Sequence, residues 1–303
     1  MACDVGGNAH LNFGKETTGG NLMKGLSVKN SENPEIRADK SLGQHFLFDQ
    51  GILTEIVNFA EVSSDDVILE IGPGLGSLTA EILHAGSKIL AVEYDKNLAR
   101  NLPLSIQKFI GGSDDLLQNL EIINADFLQF DLNQVPQNYK VVANIPYYIT
   151  AKIVKKLLTT DNKPRTITLL VQKEVAERLA AGDGNLSILA ISAQVYSRVT
   201  LGPIVRREFF DPAPKVHSQV VKMELYDKNL ISDINEKEFF RLVKIGFSSP
   251  RKKVLRNLSG GLQESPDKIR EIFAKLDISE DARAQNLTID DWKNIYNDAI
   301  TSK

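Results

Sequence analysis

Val67-Ile68-Leu69-Glu70-Ile71-Gly72-Pro73-Gly74-Leu75-Gly76 decides how this chain folds. A mostly apolar, β-branched run stops at a glycine-rich turn, and an apolar helical pattern (Leu78, Ile82, Leu83) follows. A short apolar run bounded by glycine reads as a buried strand, and apolar recurrence every three to four residues reads as helix. The unit is therefore strand, tight loop, helix, the opening of an open α/β sheet. Glycines let backbone approach a ligand closely, and the helix start presents N–H groups that lack intrahelical partners. Ligands of such sheets sit at the carboxyl ends of the strands.

The spacing of the glycines narrows the ligand. A dinucleotide-binding loop carries glycine at its first, third and sixth places. Here the glycines are Gly72, Gly74 and Gly76, and the sixth place is Ser77, which disfavours a NAD-dependent oxidoreductase. The Glu-x-Gly-x-Gly-x-Gly pattern resembles the S-adenosylmethionine-binding loop of Rossmann-like methyltransferases. Taken alone, it suits an ordinary glycine-rich turn equally well.

The rest of the sheet adds polar residues at strand ends. Residues 89–93 form a second buried strand closing on Glu93, 21 residues after Gly72. That distance suits an acid that accepts hydrogen bonds from ribose hydroxyls. Asp95, two residues on, falls in the turn. Residues 120–124 form a third strand, followed by Asp126, a carboxylate for an adenine amino group, and by Phe127, a ring partner or a core residue. The fourth strand, 139–143, ends in Asn144-Ile145-Pro146-Tyr147-Tyr148. The fifth is 166–171, with Gln172 and Lys173 at its end. Helices are expected at 174–181 and 186–193, and 216–224 alternates as a late strand. Gly72, Glu93, Asp126 and Asn144 thus stand at the carboxyl ends of four successive strands and converge on one crevice.

Of 303 residues, 42% are hydrophobic and 25% charged, as in soluble globular proteins. No apolar run reaches membrane-spanning length. Cys3 is the single cysteine and there are four scattered histidines, so neither a disulfide framework nor a metal site is expected. The N-terminus lacks the apolar core of a secretory signal. A cytoplasmic, monomeric protein without membrane association is expected. The net charge is −3, yet residues 191–260 carry 13 Lys/Arg against 7 Asp/Glu, a local +6 that leaves −9 for the remainder. Such a basic segment is either a footprint for phosphate or a solvated face.

Residues 1–39 are rich in Gly, Asn, Ser and Lys and read as a disordered extension. Leu42-Gly43-Gln44-His45-Phe46-Leu47 forms a loop before a helix capped by Asp49, with Ile52, Leu53, Ile56, Val57 and Ala60 on its apolar face. Residues 40–226 make the sheet domain and 227–303 a small helical one. In the latter, Asp233 and Glu236 form an expected capping box, and Phe239, Leu242, Val243 and Phe247 one helical face. A second helix is expected from Ser249-Pro250 to Gly260-Gly261, a third from Ser265-Pro266, and a last one from Thr288, carrying Trp292, Ile295 and Tyr296. Arg251, Lys252, Lys253 and Arg256 fall on the second helix, as phosphate contacts or as a solvated face.

The sharpest motif is Asn144-Ile145-Pro146-Tyr147. Methylating an exocyclic amino nitrogen requires its delocalised lone pair. The Asn144 side-chain carbonyl and the Ile145 backbone carbonyl can accept both N–H bonds and favour a tetrahedral nitrogen. Pro146 stiffens the turn, and Tyr147 offers a π-face for an unstacked base. In Phe209-Phe210-Asp211-Pro212-Ala213-Pro214-Lys215-Val216, Phe210 either stacks on the other face of a flipped base or packs in the core.

Gly43-Gln44-His45-Phe46-Leu47, Glu70 to Gly76, Asn144 to Tyr147, the Phe210-x-Pro-x-Pro-x-Val216 loop and Phe247 to Asn257 occur in one order. Together they resemble the ribosomal RNA adenine dimethyltransferase family, in particular its small-subunit (16S) members, from about Lys40 to the C-terminus. The resemblance implies two successive methylations of the amino group of each of two adjacent adenosines near the 3′ end of 16S rRNA. It implies S-adenosylmethionine as donor and a partly assembled 30S subunit as substrate. It places the donor against His45, Leu47, Gly72, Glu93, Asp126 and Asn144. Many members carry Asn where this chain has His45. An imidazole can still donate a hydrogen bond, and its protonation would make binding pH-sensitive. The alternatives are the sister family that dimethylates an adenine of large-subunit rRNA, and a non-catalytic assembly factor on the same fold.

Overall fold

The computed structural model describes residues 44–111 and 114–301. The expected N-terminal extension lies outside the described residues. The chain begins with β1 (Phe46–Leu47), α1 (Gln50–Phe59), β2 (Val67–Ile71), α2 (Ser77–His84), β3 (Lys88–Glu93) and α3 (Lys96–Gln107). It continues through β4 (Leu120–Asn124), β5 (Lys140–Asn144), α4 (Thr150–Thr159), β6 (Thr166–Gln172), α5 (Lys173–Leu179) and α6 (Ile188–Gln194). Then come β7 (Ser197–Val205), β8 (Phe210–Asp211) and β9 (Ser218–Leu225), and the helices α7 (Glu236–Gly246), α8 (Val254–Leu262), α9 (Pro266–Lys275) and α10 (Ile289–Tyr296).

Seven strands form one sheet in the order β4-β3-β2-β5-β6-β9-β7. β2 to β6 run parallel, and β9 and β7 close one side antiparallel. This is the expected Rossmann-like α/β architecture. The chain moves outward from β2 through β3 to β4, then returns to place β5 on the other side of β2. Where strand order reverses in this way, the connections part and leave a crevice at the carboxyl ends. The two strands that flank it are β2, which runs into Gly72, and β5, which ends in Asn144.

Period-two alternation sends successive side chains to opposite faces, and helices cover both. Leu69, Leu90, Val141 and Leu169 point into one apolar cluster, and Ile68, Ile89, Val142 and Leu170 into the other, against α1, α2 and α3. The first cluster continues without a break into Phe239, Leu242 and Trp292 of the C-terminal helices. The described residues fall in one compact unit, and the core runs across the boundary expected near residue 227. No helix among the described residues is long and apolar enough to cross a membrane.

Two local expectations change, and two elements carry no clear sequence signal. α7 is capped by Asn235, whose side chain accepts from the Glu238 N–H at 3.1 Å, while Asp233 instead pairs with Lys293 at 2.8 Å. α8 starts at Val254 rather than at Pro250, because Ser249 to Lys252 form a turn (Lys252 N–H to Ser249 C=O, 2.9 Å). The Asn257 side chain fixes that turn by donating to the carbonyls of Gly246 and Ser249. β7 and α3 carry weak sequence signals, since each contains proline: Pro203 at a register shift, Pro103 inside the helix. Proline is tolerated in a strand only at an edge or bulge, and β7 is the edge.

Candidate active site

A cavity of about 370 Å³ opens at the carboxyl ends of the parallel strands. That is the size of a small-molecule site. Its wall contains His45, Leu47, Gly72, Glu93, Asp126 and Asn144, and also Ile145, Pro146 and Tyr147. Residues separated by about a hundred positions in sequence therefore share one space.

The glycine loop divides its tasks. Gly72 has φ +66°, in the region that favours glycine, and a Cβ there would meet nothing within 4 Å. The space over Gly72 is open to a ligand. Gly76 (φ +83°) serves packing instead: a Cβ there would run into Ile106, with Leu102 at 2.9 Å.

Glu93 is fastened to this loop. It is 5% exposed; Oε2 accepts from the Gly74 N–H (3.1 Å) and Oε1 from the Asp95 N–H (2.8 Å). Burial raises its pKa, and these backbone N–H groups pull it back. Each oxygen keeps a further lone pair for a hydroxyl donor. Asp95 faces away, as the N-cap of α3, accepting from Asn97 and Leu98. Asp126 lies exposed at the cavity rim with Oδ1 on the Leu128 N–H (2.8 Å), and Phe127 beside it is buried in the core.

Glu70, on β2, begins the Glu-x-Gly-x-Gly-x-Gly pattern, but its sequence context gives it no role of its own. It lines the cavity, is 1% exposed, and its Oε2 has no hydrogen-bond partner. Burial pushes its carboxyl up to about 8, and the charge of Glu93 adds to the rise. A carboxyl raised above its unfolded value binds a proton more tightly in the folded state. Its stability contribution is full below about pH 4.5 and is lost as pH rises to about 8. The Tm of Glu70→Gln relative to the parent is thus expected to climb by several degrees between pH 5 and pH 8.5, read by thermal unfolding. A flat difference would show that Glu70 keeps its charge.

The turn after β5 is held from three sides. Asn144 Nδ2 donates to the His45 carbonyl at 3.2 Å, which leaves Oδ1 as the acceptor that the amide can offer. The Pro146 carbonyl accepts from the Ile149 N–H (3.3 Å), so the turn closes on Pro146 and not on Ile145. The Tyr147 hydroxyl meets Ser218 Oγ at 2.6 Å, and its ring stacks on His45 with centroids 5.8 Å apart at 22°. Burial raises the Tyr147 pKa. His45 Nδ1 lies 2.7 Å from the Pro212 carbonyl, an acceptor only, so the Nδ1 proton is committed there. A neutral His45 then has Nε2 as an acceptor, not the donor expected from sequence.

Phe210 does not reach the cavity. β8 pairs antiparallel with β1, Phe210 opposite Leu47 and Asp211 opposite Phe46. This pairing turns Phe210 inward, where it is 3% exposed among Leu47, Leu53 and Val220. In this structure Phe210 packs as a core residue. Its loop still serves the site by carrying Pro212 to His45. The aromatic residues at the cavity wall, besides Phe46 and Phe127, are Tyr147 and the exposed Tyr94 (63%) and Tyr148 (65%). Both exposed tyrosines directly follow a motif residue, which was the available signal. Arg251, Lys252 and Lys253 lie in the turn before α8 rather than on a helix, and Arg256 on α8; all four are exposed, and none lines the cavity. Lys253 is paired with Asp281.

Residues 36–301 match the family described as ribosomal RNA adenine dimethylase. The ribosomal RNA small subunit methyltransferase A of Alkaliphilus oremlandii is 39% identical over 272 residues, which cover 87% of this chain and 92% of that protein. Among solved structures, a dimethyladenosine transferase from Plasmodium falciparum superposes with a TM-score of 0.70 at 26% identity, covering 84% of this chain and 98% of that one. The 23S rRNA methyltransferase ErmE superposes at 0.66 and 24% identity, over 84% and 99%, and shares the fold. The family model spans most of the chain and the Alkaliphilus relative exceeds a third identity over nearly all of its length: the chain belongs to the ribosomal RNA adenine dimethylase family.

Proposed function

We propose that this chain dimethylates the exocyclic amino groups of two adjacent adenosines near the 3′ end of 16S rRNA, in a partly assembled 30S subunit. It works as a monomer in the cytoplasm. The observation that carries the reading is the Asn144 amide, fixed by His45 at the cavity wall beside the anchored Tyr147 ring.

The wall fits S-adenosylmethionine by its chemistry. Glu93 offers carboxylate lone pairs for ribose hydroxyls, Asp126 an acceptor for the adenine amino group, and Gly72 open space against backbone. Glu93 and Asp126 place carboxylates on the wall, which suits a ligand carrying a sulfonium and an ammonium group. When bound, S-adenosylmethionine supplies an electrophilic methyl group. The Asn144 Oδ1 and the Ile145 carbonyl accept the two N–H bonds of the target amino group and favour a tetrahedral nitrogen whose lone pair faces that methyl. Tyr147, held by Ser218 and His45, gives the flipped base a flat surface. The nitrogen forms its new bond to carbon as the carbon–sulfur bond breaks, and its proton, acidified by the positive charge, leaves to solvent. Positioning and electrostatics supply the acceleration, and no dedicated strong base is needed.

The test is methyl transfer from labelled S-adenosylmethionine to undermethylated 30S and 50S particles, separately, with the modified nucleoside identified. Dimethyladenosine in 30S alone is expected. Label in 50S moves the chain to large-subunit modification. No label in either, with donor binding intact, makes it a non-catalytic factor.

A further inference from the structure

Tyr147 is anchored on both sides, whereas its neighbour Tyr148 makes no hydrogen bond or ring contact among the described residues. It is 65% exposed and still lines the cavity. Tyr147–Ile149 form a short 3₁₀ turn that leads directly into α4. Lys152 and Lys155, three residues apart on α4, share one face of that helix, and Tyr148 lies in the turn just before its start. Both lysines are exposed, and neither has an ion-pair partner among the described residues. Lys156, next in the chain, behaves differently: its ammonium is spent on the carbonyls of Leu128 (3.0 Å) and Phe130 (2.5 Å). Lys152 also lines the cavity. The face runs from the mouth outward over roughly 10 Å.

We infer that this face of α4 holds the single-stranded RNA next to the target adenosine, with Tyr148 stacking on the adjoining base and Lys152 and Lys155 on the phosphates beyond it. The inference rests on the RNA-methylation reading above. An exposed aromatic followed by unpaired cations is how proteins hold single strands with little sequence preference: the ring takes a base face, the ammonium groups take the backbone. An acidic chain gains most from such a local stripe, since its overall field repels RNA. The four basic residues near α8 line no part of the cavity, so they can position a particle but not the nucleotide beside the flipped base.

The experiment compares parent, Tyr148→Ala, Tyr148→Phe and Lys152→Gln/Lys155→Gln on undermethylated 30S, with donor affinity and Tm measured in parallel. Tyr148→Ala is expected to raise KM for the particle about tenfold, because stacking on one base is worth that order. Tyr148→Phe keeps the ring and is expected to restore KM. The double lysine variant is expected to flatten the salt dependence of particle binding by about 0.7 in log–log slope per lysine. Unchanged KM and unchanged salt slope, in an assay where the parent labels 30S, overturn the α4 surface while leaving the function standing. A parent that labels no RNA overturns the underlying function instead. A Tyr148→Phe variant as impaired as Tyr148→Ala overturns stacking, because it makes the hydroxyl the working group.

Discussion

Asn144→Ala is expected to lower kcat for methyl transfer by about 10³-fold, with donor Kd changed by no more than a few-fold. Removing one fixed group aimed at a charge-developing centre typically costs on the order of 10²–10³. The loss falls at the upper end here because the same side chain does two things. In the proposed mechanism its Oδ1 accepts from the amino group, and its Nδ2 ties the turn to the His45 carbonyl at 3.2 Å. Hydrogen bonds to the amino protons strengthen as the nitrogen turns tetrahedral and gains positive charge. Their removal therefore lowers kcat rather than raising KM. The His45 carbonyl, left without its donor, costs about 1–2 kcal/mol, so the variant folds with a slightly lower Tm. Single-turnover transfer on 30S particles, with calorimetric donor binding on the same preparation, reads both quantities. Turnover near the parent's would end the Asn144 mechanism.

The candidate site was legible to the extent that Gly72, Glu93, Asp126 and Asn144 end a strand or closely follow one. A short apolar run that stops at a glycine or a polar residue shows where the chain leaves the core. Gly72, Glu93, Asp126 and Asn144 all announce themselves in this way. What sequence could not show is where long-range pairing turns a residue. Phe210 precedes a proline-rich loop and is as well placed by spacing for stacking as for packing. Only its pairing with Leu47, over 160 positions away, sends it inward. β1 and β8 are two residues each, too short to carry a periodic signal. α8 shows a related limit. Ser249-Pro250 is a good helix start by local rules, but the Asn257 side chain binds the Gly246 and Ser249 carbonyls and holds the intervening chain as a turn. His45 shows a third: its Nδ1 faces the Pro212 carbonyl, a partner that no local pattern contains. Tertiary hydrogen bonds decided each of these, and they decided the direction of side chains more than the existence of elements.

Glu93→Gln is expected to weaken donor binding about 100-fold, with kcat at saturating donor within a few-fold of the parent. It is the reverse of the Asn144 result. Glu93 accepts two backbone N–H groups, one on each oxygen. A glutamine has one oxygen and one amide nitrogen, so either Gly74 or Asp95 then faces a donor instead of an acceptor. The Gly74 contact matters more, because it holds the loop whose neighbour Gly72 opens toward the ligand. Ribose hydroxyls lose a charged acceptor at the same time. Hydrogen bonds to a charged group contribute about 1.5–3 kcal/mol, so one such loss with the loop relaxed comes to about 3 kcal/mol, near two decades in Kd. In the proposed mechanism the target amino group is oriented by the Asn144 turn at the end of β5, not by Glu93 on β3, and a saturated variant is therefore expected to turn over almost normally. Calorimetric titration with S-adenosylmethionine gives the affinity, and initial rates at raised donor concentration give kcat. An unchanged Kd would remove Glu93 from the donor site. A kcat that fell in step with affinity would mean that the loop positions the methyl group as well as the ribose, which joins the β2–β3 and β5 sides of the crevice into one catalytic unit.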